Sequence, residues 1–240
     1  MFRHRGKNRT FKQNLQLASL LSFVAGIVNV AGYFSINTLT TNVTGHFAFF
    51  ADELVKSGWQ VAQVYLLYII AFFAGAFVSG FSVEFMLKRR ERLIYFIPVL
   101  LEMAILVVIS MSGENTLISY AVLTASALLF AMGMQNALVT SISNSIVRTT
   151  HLTGLFTDLG IEIGQLFFYK QPEQRNKLVS SIKLRMAIIT FFFAGCLVGG
   201  YGYFIFGISV LMLAALCLGG GLLYDTLRYQ VTAIKRRYMK

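Results

Sequence analysis

Charge is scarce in this chain. Only 13% of its 240 residues are Asp, Glu, Lys or Arg, about half the share of a soluble globular domain. That excludes a water-facing surface of ordinary size. Only two prolines occur, so long apolar stretches run with few interruptions. Two cysteines, Cys196 and Cys217, both lie inside apolar runs, which excludes a disulfide framework and a cysteine metal site. Histidine is equally scarce, at three residues. No HExxH, phosphate-cradling glycine loop or Ser-His-Asp pattern occurs. An enzyme, a metal and a cofactor are therefore not expected.

What is present is hydrocarbon. The chain is 56% hydrophobic, and several apolar runs reach the roughly 20 residues that cross a core of about 30 Å. The reading is an all-α integral membrane protein whose first partner is the lipid bilayer. Strong spans fall at 14–36, 62–87, 93–112, 116–139, 184–205 and 207–227. Two weaker segments lie at 44–57 and 153–169. The first run follows a basic stretch, Arg3 to Lys12, yet is too long for a signal peptide and is read as a retained helix. A net charge of +11 does not indicate nucleic acid, because the basic residues flank apolar runs, where they set topology.

Charge placement decides which segments cross. If only the six strong spans cross, with both termini cytoplasmic, then 20 of the 21 Lys and Arg residues lie inside, all but Lys56. If the weak segments cross too, the cluster from Lys88 to Arg92 moves outside and the positive-inside pattern breaks. The weak segments are therefore expected to be re-entrant or interfacial, shielded by protein or lining a wet cavity.

Three blocks repeat in order. "FVAGIVNVA" at 23–31 matches "FAMGMQNAL" at 130–138, pairing Phe23 with Phe130, Gly26 with Gly133 and Asn29 with Asn136. "TTNVTGHF" at 40–47 matches "TTHLTGLF" at 149–156, pairing Thr40 with Thr149, Thr41 with Thr150, Thr44 with Thr153 and Gly45 with Gly154. "FFAGAFVSG" at 72–80 matches "FFAGCLVGG" at 192–200. Two halves of three spans each must have opposite orientations. The expected architecture is six transmembrane helices forming two inverted repeats, each with a Thr/Gly helix break and a short re-entrant or interfacial helix. The regions are a basic N-terminus at 1–13, repeats at 14–112 and 116–227, and a basic C-terminus at 228–240.

Inverted repeats are characteristic of many secondary transporters, with the substrate site where the repeats meet. A Thr- or Asn-capped helix starting inside the protein aims its positive end at that place. Asn29, Thr41, Asn42, Thr44, Gly45, Gln135, Asn136, Thr150, Thr153 and Gly154 are the substrate-path candidates. The competing reading is that Thr and Gly only permit close helix crossing and a buried turn. Glu102, inside an apolar span, and Asp158 with Glu162, four residues apart on one helical face, are the coupling candidates. Pairing with a basic residue competes for them. Glu84 and Asp225, near cytoplasmic ends, are expected to be solvated. His46 and His151 sit beside the threonines and can sense pH. Gly75, Ser79, Gly195 and Gly199 have the four-residue spacing of close helix packing, and their two helices are expected to pair with each other.

The motifs "AGIVNVAGY", "LTTNVTGHF", "GMQNALV" and "RTTHLTGLF" resemble those of the YoaK-like family of bacterial inner-membrane proteins, across nearly the whole chain. The resemblance implies about six transmembrane helices in a bacterial inner membrane, and no substrate. Family members often carry Asp where this chain has Asn29, so the position here lacks a titratable group. The functional expectation is a transporter or permease of a small solute or ion. The alternative is a non-transporting scaffold or regulatory protein. A homo-oligomer stays open.

Overall fold

The computed structural model describes residues 9–89, 95–143 and 145–238. Arg3, Arg5, Lys7, Arg90, Arg92 and Lys240, counted in the charge argument, lie outside the described residues. Every described element is helical: α1 (Phe11–Ile36), α2 (Val43–Val55), α3 (Trp59–Arg89), α4 (Phe96–Ser110), α5 (Glu114–Ser119), α6 (Ala121–Ser143), α7 (Leu152–Phe168), α8 (Pro172–Phe206), a 3-10 turn (Gly207–Val210) and α9 (Leu211–Tyr238).

Capping chemistry sets the ends of α1. The Thr10 hydroxyl accepts from Gln13 N at 3.4 Å while Gln13 Oε1 accepts from Thr10 N at 3.0 Å, a capping box that satisfies two end groups. At the other end Asn37 adopts the left-handed conformation, φ 50°, which stops the helix. The two weak segments of the sequence are helices α2 and α7, too short to cross a bilayer on their own.

Four helices are long and apolar enough to span a membrane: Phe11–Ile36, Trp59–Lys88, Ala121–Ser143 and the continuous Pro172–Arg228 stretch. That last stretch turns at Gly207, whose φ of 59° and ψ of −145° suit only glycine, so α8 and α9 are separate rods. Two expected spans change. The one at 93–112 is described as α4, whose 15 residues rise about 22 Å, short of a hydrocarbon core. The one at 116–139 is cut at Tyr120, giving short α5 and a later α6 that runs on to Ser143.

Helices α1 and α6 form the centre, each with 61% of its apolar window buried, whereas α3 has 17%. α1 packs mainly on α8 and α6 mainly on α3, while α4 bridges α9 and α6. Glycines make the two main crossings. A Cβ on Gly26 would strike Phe192 O, and one on Gly195 would strike Phe23 O. A Cβ on Gly133 would strike Phe72 O, and one on Gly75 would strike Phe130 O. This corrects the expectation that the helices of Gly75 and Gly195 pair with each other. Instead α3, with Gly75, lies against α6, and α8, with Gly195, lies against α1, because that is where a glycine stands opposite.

Candidate functional site

The first break folds back onto its own helix. Asn29 Oδ1 on α1 accepts from the Thr41 amide at 3.2 Å and from the Thr41 hydroxyl at 2.9 Å. Asn42 then caps α2, its Oδ1 accepting from Gly45 N at 3.0 Å. The same side chain lies where a Cβ on Gly45 would be, 2.5 Å from its Nδ2. His46, 4% exposed, has Nε2 3.0 Å from Leu39 O, and its ring lies against Tyr65 and Tyr68. Thr44 is exposed.

The second break keeps the geometry and changes the chemistry. His151 stands where Asn42 stood, and its ring lies over Gly154 as Asn42 lies over Gly45. It makes no side-chain cap to α7. Asn136, the partner of Asn29 in the repeat, has its Oδ1 buried without a hydrogen bond among the described residues. Thr150 is half-buried and Thr153 exposed.

The first threonines of both phrases, Thr40 and Thr149, are each 0% exposed, and neither hydroxyl has a partner among the described residues. Neither stood among the site candidates. Their pairing in the repeat was the one signal that singled them out, and it does not distinguish the first threonine of each phrase from the second.

The breaks lie at opposite ends of α1. Asn29 holds the first, near the helix end. The second borders a cavity of about 490 Å³ whose wall includes Phe11 and Asn14 at the helix start, with Arg148, His151, Gly154 and Asp158. Asn14 and Asn29 are 15 residues apart on α1, about 22 Å along the axis.

Asp158 and Glu162 do share one face of α7, and α8 answers them with one cation. Arg185 Nη1 lies 2.8 Å from Asp158 Oδ2. Arg185 Nε and Nη2 donate to Glu162 at 2.9 and 3.1 Å, and the Ser181 hydroxyl donates to Glu162 at 2.6 Å. Arg185 was not among the expected site residues, since nothing in its local sequence marks it.

Glu102 lies on α4. It is 1% exposed, and neither carboxyl oxygen has a hydrogen bond among the described residues. Gln135, also 1% exposed, crosses from α6 to α1, its Nε2 donating to Leu21 O at 2.6 Å. Its Oε1 is buried without a described partner. Asp225 corrects an expectation: it is 4% exposed, not solvated. It faces Arg9, whose guanidinium is pushed down to about 10 by burial while the Asp225 charge raises it. Glu84 is exposed, as its place near a helix end implies. Among the described residues no cluster of three or more His, Cys, Asp or Glu side chains can hold a metal.

The sequence pattern of a family described as "Protein of unknown function (DUF1275)" matches residues 17–224. The chain belongs to the DUF1275 family. The match runs from within α1 into α9 and takes in both breaks. No curated protein and no solved structure matches the chain.

Proposed function

We propose that this DUF1275 protein is a transporter or permease of a small solute or ion, built from two inverted three-helix repeats in a bacterial inner membrane with both termini cytoplasmic. Its motifs resemble those of the YoaK-like proteins. One observation carries the reading: the two matched Thr/Gly breaks sit at opposite ends of α1, about 22 Å apart along its axis. The glycine crossings support it, because matched residues make matched contacts with the roles of the halves exchanged. Inverted repeats whose broken helices begin at opposite faces are the frame on which alternating access is built. In this reading Asn29, Thr41, Gln135, Asn136, Thr150 and the glycines of the breaks line the path. Glu102 and the Asp158–Glu162 pair are its titratable groups.

The test is flux. Purified protein in liposomes should move at least one solute from a panel of anions, cations and neutral metabolites, saturably and above the rate of protein-free vesicles. Rates equal to empty vesicles across the whole panel would overturn it. One observation favours the scaffold alternative: in the first break Asn29, Asn42 and the Leu39 carbonyl engage Thr41, the Gly45 amide and His46 internally, leaving the buried Thr40 hydroxyl without a described partner. A scaffold would show no flux and would retain a bound protein partner through purification.

A further inference from the structure

We propose that the cavity at the second break binds a small organic monocarboxylate. This deepens the transporter reading by naming a substrate class, and rests on it for the ligand's role though not for the binding. The cavity, about 490 Å³, is of the size that encloses a small ligand. Its wall divides by chemistry. Phe11, Ile146, Leu155 and Leu184 supply an apolar side, and Asn14, Arg148, Gly154 and Asp158 a polar one.

Counting the charges selects the ligand. Arg185 lines the cavity, but Asp158 and Glu162 occupy all three of its nitrogens. Arg148 also lines it, is exposed, and has no hydrogen bond or ion pair among the described residues. Among the described residues the cavity thus offers one uncommitted cation.

Two further sets of donors point the same way. α7, 17 residues long, begins at the cavity with no side-chain cap, so its first-turn amides and positive dipole end suit an anion. The matching helix α2 lacks this opening, because Asn42 already occupies the Gly45 amide. Asn14 is the second, independent observation. It is 6% exposed, and its Oδ1 is held by Arg9 Nε at 2.6 Å. That bond occupies Oδ1 and leaves Nδ2, which has no described partner, as the available donor of a residue that lines the cavity.

One free cation, uncapped amides and an amide donor match one carboxylate. The Asp158 carboxylate on the same wall opposes a doubly charged anion. The apolar side suits a short hydrocarbon or aromatic body, so butyrate and benzoate are the probes.

Isothermal titration of the full chain in detergent should show saturable binding of benzoate or butyrate and none of inorganic phosphate. Arg148→Gln should weaken binding about tenfold or more, the loss of one charge-assisted contact. A measurement on the wild type avoids any folding defect: benzoate should slow phenylglyoxal modification of Arg148, read by mass spectrometry. No carboxylate binding, phosphate binding as tight as benzoate, or unchanged Arg148 labelling would each overturn the proposal. Binding without flux would leave the site standing and overturn transport. Flux with none of these binding signs would do the reverse.

Discussion

Gly26 of α1 and Gly195 of α8 face each other so closely that neither can carry a side chain. A Cβ on the first would strike Phe192 O, and one on the second Phe23 O. Gly133 and Gly75 repeat the arrangement with Phe72 and Phe130. Here the obstacle is backbone, which cannot rotate away, so the helices must separate. Gly26→Ala and Gly133→Ala should each lower stability by about 1–3 kcal/mol, read as the unfolding midpoint in detergent. Gly80→Ala, where a Cβ meets nothing within 4 Å, should leave the midpoint unchanged.

The first break depends on Asn29. Asn29→Ala would strand both the Thr41 amide and its hydroxyl, which now share one acceptor. A loss of about 1 kcal/mol or more is expected for stranded half-buried groups, together with faster proteolysis at 38–42. Asn29→Asp keeps an acceptor at that place and should lose less. Equal losses in the two variants would show that the hydrogen bonds do not hold the break.

His46 gives a pH dependence. Burial holds its imidazole below the ordinary value, and the Leu39 carbonyl only partly offsets that. The folded protein therefore binds this proton more weakly than the unfolded chain does. The stability tied to neutral His46 is present above the unfolded pKa of about 6.5. It is lost as pH falls from there toward the folded value. The unfolding midpoint should drop between about pH 7.5 and 5.5, and His46→Gln should flatten that part of the curve.

Arg185 links α7 to α8 through two carboxylates of unequal burial. The Glu162 side chain is 14% exposed and the Asp158 side chain 50%. An exposed ion pair contributes about 0–1 kcal/mol, whereas a buried unpaired carboxylate costs more. Asp158→Ala should therefore change stability little. Arg185→Ala should destabilise by more than about 1 kcal/mol, and adding Glu162→Gln should recover part of that loss. A melting series of the three variants checks the order.

Much of this was legible in the residues. Apolar runs and caps placed α1, α3, α2 and α7 close to their described limits, because helix length, end chemistry and hydropathy are local properties. Asp158 and Glu162 were placed on one face by their spacing alone. The partner of that face, Arg185, was not legible, since it comes from another helix 23 residues beyond Glu162. The same limit explains the glycines: spacing marked them for close packing but did not say against which helix. Asp225 was misplaced because a charge near a helix end reads as solvated until Arg9 is brought beside it. Asn14 and Arg148 became site residues only when the start of α1 met the second break.

The most direct test is the accessibility of one residue in each break. Thr44 and Thr153 are matched in the repeat and both exposed, so each accepts a cysteine with little disturbance once Cys196 and Cys217 are replaced. Membrane-impermeant thiol reagents, added to intact cells and to inverted vesicles, should label Thr44→Cys only from the outside and Thr153→Cys only from the cytoplasmic side. Labelling of both from the same side would contradict the inverted arrangement and the transporter reading built on it.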